Sequence, residues 1–330
     1  MQEITKGTIT MSNTLLDRPH TKPPSATATA PGTVLLDDKQ ERFQRRAILL
    51  ITVVPFLGFL FAAWSTWGNG LSAVDAGIFL FMYMLTGLGV TVGYHRCLTH
   101  GSFESKPALR AFLAIAGSMS VEGSVISWVS AHRRHHAFSD REGDPHSPHL
   151  DEGPGLKGVM KGLYHAHMGW LFDPEKTSAE RWAPDLLKEP MMAKIDKAFL
   201  PLLVATLALP ALLGLVITQT WAGALSAFLW GGLARIFLLH HVTWSVNSIC
   251  HFYGKTPFKT RDFSTNNWLL SVVSFGESWH NNHHAFPTSA RHGILKGQVD
   301  LSARVISVFE KLGWVRNVKL PSGKQLSSKS

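Results

Sequence analysis

Two long stretches of this chain are almost free of charge. From Ala47 to His95 there is no Lys or Arg, and Asp75 is the only acidic residue; from Ala198 to Ala234 there is no charged residue at all. Each is too long for a single membrane crossing of about 20 residues. Each is broken near its middle, by Trp64-Ser-Thr-Trp-Gly-Asn-Gly70 in the first and by Thr218-Gln-Thr-Trp221 in the second. The pattern predicts two helical hairpins, with spans over about residues 47–65, 73–94, 199–218 and 221–243. Two runs of this length with at most one charge each argue against a large soluble core.

Ala108–Ser120 is mostly apolar but too short to span, which places it in the interface or along a cavity. Residues 1–40, rich in Thr, Ser, Pro and Ala, read as a disordered N-terminal segment. A membrane domain is expected over 41–320 and a polar tail over 321–330, with a loop or turn region at 141–160. Arg42, Arg45 and Arg46 precede the first span, Arg96 follows the second, and Lys188, Lys194 and Lys197 precede the third, while both hairpin tips lack positive charge. The positive-inside bias then puts both termini and the central segment in the cytosol, at the plasma membrane in a bacterium.

Composition adds little until it is resolved along the chain. The 330 residues are 45% hydrophobic with a net charge of +9, and a mean hydropathy of only +0.06 hides the segregation. The positive charge partly restates the topological bias and suits an anionic lipid surface; no nucleic-acid motif accompanies it. With only Cys97 and Cys250, no disulfide framework is indicated, and Cys97 reads as a packing residue rather than a soft ligand.

The candidate chemistry is in the histidines. His132-Arg-Arg-His135-His136 and His280-Asn-Asn-His283-His284 repeat one H-x-x-H-H spacing more than a hundred residues apart, and His95 and His100 form a third cluster. On a helix, positions i, i+3 and i+4 share a face, so each triplet aims three imidazoles at one spot. Eight histidines are too many for one metal and suggest two, held mainly by nitrogen, with redox or oxygen chemistry rather than a structural zinc. All three clusters fall on the same predicted side of the membrane. A contiguous, low-complexity metal store does not match this spacing. A metal transporter, which holds its ligands near the bilayer midplane, does not match clusters at the span ends.

With these clusters flanked by paired spans, the chain resembles the membrane fatty acyl desaturases, and within them the stearoyl-CoA (delta-9) branch, in a bacterial-type form. Gly93-Tyr-His-Arg96, Asp144-Pro-His146, His167-Met-Gly-Trp170 and Phe275-Gly-Glu-Ser-Trp-His280 carry the resemblance over about residues 73–315, with Pro257–Arg261 and Ser289–Gly293 closest to bacterial members. It implies an all-α integral membrane fold, with four transmembrane helices in two hairpins and a cytosolic helical cap holding a di-metal site. It implies two non-haem irons, one held by His95, His100, His132, His136 and His283, the other by His135, His251, His280 and His284, with Asn247 reaching the second through a water. It points to Trp128, Thr243 and Trp244 as the bend of an acyl tunnel, and to Tyr83 at its closed end. His146 and His167 fall at matched positions without being ligands.

Abstracting hydrogen from an unactivated methylene is beyond any side-chain acid or base, so the metal must supply an oxygen-derived oxidant. The resemblance implies O2 as co-substrate, a long-chain acyl-CoA or other acyl carrier as substrate, and membrane lipid as surroundings. The chain contains no His-Pro-Gly-Gly and no ferredoxin-like cysteine set, so the expectation is a separate electron-donor protein with its reductase. Glu277 is a candidate to orient a ligand imidazole, with Asp140, Asp144 and Asp262 behind it and Glu142 read as solvated. Arg235, alone in an uncharged span, is either functional or snorkels to the surface. A related di-iron hydroxylase or ketolase shares the histidine code, and product analysis separates it.

Overall fold

The structure is a computed structural model that describes residues 32–68, 70–150 and 153–329. Four helices are long and apolar enough to cross a membrane: Asp38–Ser65, Ala73–Thr99, Phe199–Thr218 and Trp221–His251. They form the two expected hairpins but outrun the apolar stretches. The first starts at Asp38 because Asp37 and Gln40 make a reciprocal capping box, at 2.8 and 3.1 Å. The second and fourth continue well past their apolar runs and carry His95 and His251 to the same side. Both also widen into π-helical turns, over Gly89–Thr99 and Phe228–Ala234. Such turns rotate the side chains that follow and favour functional sites.

The spans divide by burial. Only 22% and 17% of the apolar windows of the first and third are buried, against 50% and 56% for the second and fourth. The first and third therefore form the outer, lipid-facing pair, and the second and fourth the inner one. Buried Asp75, the lone acid of the first stretch, accepts from Ser72 Oγ at 2.7 Å and Ser226 Oγ at 2.8 Å, joining the hairpins near their tips. Arg235 does not snorkel. It is fully buried and donates to the Gly231 and Met119 carbonyls, both at 3.2 Å, and to Thr206 Oγ1 at 2.7 Å. A buried cation is tolerated there because three acceptors from separate segments replace its hydration.

The remaining helices make a cap on the histidine-bearing side. Pro107–Ser118 packs lengthwise on the second span, with Leu113, Ala114, Ala116 and Gly117 buried. The approach is close enough that a Cβ on Gly89 would fall 2.2 Å from the Gly117 backbone nitrogen. Val125–Phe138 and Gly155–His167 follow, and His280–Ala285 and Leu301–Lys311 close over them. Two short antiparallel strand pairs pin distant segments together, Thr33–Leu35 with Glu175–Thr177 and Glu104–Ser105 with Val315–Arg316.

Three segments differ from expectation. The loop expected over 141–160 gives way at Gly155 to the helix Gly155–His167. The disorder expected over 1–40 falls on residues outside the described ones up to 31, whereas 33–40 are ordered by the strand pair and the helix cap. The polar tail forms a helix over Gly323–Lys329, with Leu326 packed on the Phe258, Ala285 and Phe286 cluster. One apolar residue in a polar stretch was too weak a signal to read.

The Gly89–Gly117 approach predicts that Gly89→Ala lowers thermal stability by about 1–3 kcal/mol through overpacking. A melting temperature in detergent equal to that of the parent would show that the helices part freely.

Candidate metal centre

Each histidine cluster is placed by its helix. His132, His135 and His136 lie on Val125–Phe138, and His280, His283 and His284 on the short helix His280–Ala285. His95 lies in the π-helical end of the second span, with His100 just beyond it, and His251 ends the fourth. The structure brings all nine together in two groups. His95, His100, His132, His136 and His283 have ligand atoms within 4.8 Å of one another, and so do His135, His251, His280 and His284. The sequence neighbours His135 and His136 fall in different groups, with ring centroids 5.4 Å apart, as do His283 and His284. Adjacent residues on a helix point about 100° apart, so one helix can serve two sites.

Four carboxylates aim the rings. Asp144 sits 2.9 Å from His135 Nδ1, Asp140 2.8 Å from His251 Nδ1, Asp262 2.8 Å from His284 Nδ1, and Glu277 2.5 Å from His95 Nδ1. With Nδ1 engaged, each ring presents Nε2 inward. Burial acts to raise the carboxyls, but the partnering imidazoles outweigh it and hold Asp140, Asp144 and Asp262 well below the usual carboxylate range. Burial, reinforced by the crowding of like rings, pushes His100, His132, His136, His280 and His283 well below the usual histidine range, and His284 to about 4. These rings are neutral at pH 7, the form that binds a metal.

The nitrogens fit metal ions better than they fit each other. In the first group, His132, His136, His283 and His95 form a run of Nε2 contacts at 3.1, 2.9 and 3.0 Å. A neutral ring nitrogen carries one hydrogen or one lone pair, so the two middle nitrogens cannot make both of their contacts as full hydrogen bonds. Nε2 of His100, His135 and His284 is buried with no hydrogen-bond partner. Each such atom costs roughly 1–3 kcal/mol unless something binds it. A cation at the focus of each group resolves both problems.

A cleft of about 1180 Å³ leads from Leu35, Glu175 and Lys176 to His132, Trp128, Thr243, Trp244 and Asn247. A smaller cavity of about 50 Å³ continues it. The two share Trp128, His132, Thr243 and Asn247, and the inner one ends among Gly87, Val273 and Phe275. Four of the expected residues, Trp128, Thr243, Trp244 and Asn247, thus line one channel that passes the histidines. Tyr83 does not line it. Phe275 stands at the end, and Tyr83 backs Phe275 with ring centroids 5.6 Å apart.

A fatty acid desaturase family model matches residues 71–296. The chain is 39% identical over 294 residues to a hex-5-enoyl-[acyl-carrier protein] acetylenase of Moorena producens, covering 89% of this chain and 92% of that one. It is 37% identical over 260 residues to an sn-1 stearoyl-lipid 9-desaturase of Anabaena variabilis, covering 78% and 88%. To an icosanoyl-CoA 5-desaturase of Limnanthes douglasii it is 37% identical over 243 residues, covering 72% and 63%. The chain belongs to the fatty acid desaturase family.

Three parts of this desaturase's site carried no signal in spacing. Arg96, read above as a flanking charge within the matched Gly93–Arg96, is fully buried and bridges Glu277 at 3.0 Å and Asp300 at 3.0 Å. His292, within the matched run Ser289–Gly293, sits beside them with Nδ1 3.2 Å from Glu277, its ring 4.4 Å from that of His283. Glu122 accepts from Thr243 Oγ1 at 2.9 Å and Trp128 Nε1 at 3.3 Å, joining two of the three residues expected at the bend. The turn that holds it is tied by Arg235 to the Met119 carbonyl and by His240 to that of Ser120, 3.0 Å away. Elsewhere, His146 stacks on His135 at 4.3 Å, whereas His167 turns away to Ser248 and His241. Glu142 is exposed, and Cys97 is buried against Ser105 and Arg110, outside both groups.

Removing a carboxylate should loosen the metal without unfolding the protein. Asp144→Asn and Asp262→Asn are each expected to weaken metal retention about 10–100-fold against a chelator. Unchanged retention would remove the carboxylates from the centre.

Burial pushes the Glu122 carboxyl up to about 7, above its ordinary 4.5. The folded protein holds that proton more tightly than the unfolded chain. Its stabilising contribution is therefore full below about pH 4.5 and lost as pH rises through about 7. Glu122→Gln cannot ionise and can still pair with Trp128 and Thr243. Its melting temperature should gain on the parent across that window and keep the gain above it; a difference flat with pH would contradict this.

Proposed function

We propose that this protein is an O2-dependent desaturase that places a cis double bond, at carbon nine, in a saturated long-chain fatty acyl chain, with acyl-CoA as the first carrier to test. The observation that carries the reading is the convergence of nine imidazoles, in groups of five and four, beside a channel lined by Trp128, Glu122 and Thr243, which hydrogen bonds join. The relatives named for 9- and 5-desaturation and for acetylene formation support carbon–carbon dehydrogenation. They carry their acyl chains on lipid, CoA or carrier protein.

Two iron ions held by these nine histidines, with Asn247 reaching one through a water, would supply the oxidant. O2, two electrons and two protons take one hydrogen from each of two adjacent methylenes, leaving an alkene and two waters. The protein's share is position. Asp140, Asp144, Asp262 and Glu277 hold their rings with Nε2 inward. Neighbouring methylenes are chemically almost alike, so the bend must decide which pair lies beside the centre. The Glu122 carboxyl fixes the bend by clamping the Trp128 indole to the Thr243 hydroxyl. Phe275, backed by Tyr83, limits how far the methyl end travels. The arginines before the first span support a cytosolic position for the centre, where a separate donor protein delivers electrons.

Expression in a host of known lipid profile, with gas chromatography of the fatty esters, tests the reading. The expected product is a monoene with its double bond at carbon nine. A hydroxyl, a ketone, a triple bond or a double bond elsewhere would overturn it in whole or in position. His135→Ala is expected to abolish the product and lower bound metal while membrane insertion persists. Retained activity would take His135 out of the ligand set.

A further inference from the structure

The turn that leads from Asn267 back to the histidines has an unusual surface. Residues 263–276 carry no charged side chain. Trp268, Leu269, Val272 and Val273 point outward, 69%, 65%, 56% and 43% exposed. A cluster of this kind facing water would be unfavourable. Part of the turn's backbone pairs within the turn. The N–H groups of Ser271, Ser274, Phe275 and Gly276 reach the carbonyls of Trp268, Leu270, Val272 and Ser271 at 2.8–3.2 Å. The Asn267 side chain accepts from the Leu269 N–H at 3.1 Å.

The turn is also anchored along a membrane span. The Tyr83 hydroxyl donates to the Val273 carbonyl at 2.9 Å. Tyr83 lies on the second span twelve residues before His95, about 18 Å of helix away from the histidines and towards the hairpin tip. The turn therefore runs from the centre down the flank of that helix, continuous with the lipid-facing surface.

Its other face lines the channel. Val273, Ser274 and Phe275 bound the inner cavity opposite Val90 of the second span and Val242 of the fourth. Val273 is both exposed and part of the cavity lining, so the wall is thin there. Phe275 is held with φ +56°, pressed so close to the second span that a Cβ on Gly87 would lie 2.3 Å from its ring.

We propose that the 268–276 turn is a membrane-embedded side wall of the channel, and that an acyl chain lying in the bilayer passes between lipid and channel at Val273. The passage rests on the acyl desaturase reading above; the embedding stands without it. Whatever the carrier, a long acyl chain partitions its tail into the bilayer, and a side entrance lets the tail reach the centre without crossing water.

The test uses the full chain in liposomes, with Val272→Cys and Val273→Cys made singly; native Cys97 and Cys250 are buried, 4% and 0% exposed. Each variant is treated with a long-chain alkyl maleimide dissolved in the bilayer and, separately, with a cationic water-soluble maleimide added on both sides. Modification is read by mass spectrometry and product by chromatography. Both cysteines should react with the alkyl reagent at least tenfold faster than with the cationic one. Alkylation at 273 should lower product at least tenfold, and alkylation at 272 should leave it unchanged. Equal reaction of both positions with the cationic reagent overturns the embedding, and Leu269→Cys repeats that test at a position lining neither cavity. Full activity after complete alkylation at 273, or equal loss at both positions, overturns the passage and leaves the desaturase assignment intact.

Discussion

The structure turns on the contact between a carboxylate and the Nδ1 of an imidazole, made four times among the nine clustered histidines. Each contact settles which nitrogen of a ring faces inward. Together with the helix geometry of the H-x-x-H-H segments, they crowd Nε2 atoms to about 3 Å of one another. Such an arrangement is unfavourable as bare protein, because neutral nitrogens at that spacing cannot all pair and several are buried without partners. The energy needed to assemble it comes from the surrounding packing and from whatever cation the group holds.

Because the carboxylates come from separate stretches, the same contacts bind the architecture together. Asp140 and Asp144 follow the helix Val125–Phe138, yet Asp140 grips His251 at the end of the fourth span. Asp262 and Glu277 lie between that span and the last histidine triplet. Glu277 also pairs with Arg96 of the second span, which in turn holds Asp300 ahead of the Leu301–Lys311 helix. The inner pair of spans and both halves of the cap thus meet at one buried polar network. Removing a single member leaves an uncompensated charge in a dry environment, so the network specifies one arrangement strongly.

The channel uses the same economy. Polar contacts join Trp128, Glu122 and Thr243 in its wall, beside the histidines but outside them. The turn below them is held by Arg235 and His240 through backbone carbonyls. The one cation in the apolar fourth span therefore acts on that wall through backbone. Further in, the walls become mostly apolar, and they end at Phe275 between the two inner spans.

What was legible in the chain was what local physics repeats. Charge-free length predicted four spans and hairpin breaks predicted their pairing, whereas i, i+3, i+4 spacing pointed each triplet at one spot and missed that His135 and His283 part from their neighbours into the other group. Glu277, Asp140, Asp144 and Asp262 were readable as candidates because they lie near histidines in sequence, but nothing there said which ring each would hold. His251, Glu122, Arg96 with Asp300, and His292 owe their places to contacts between segments some 100 to 200 residues apart, and spacing along a chain carries no record of such contacts. The boundary between sequence and tertiary structure here is the boundary between a helix, whose period is a property of the backbone, and a buried polar network, whose members are chosen only when distant segments close around them.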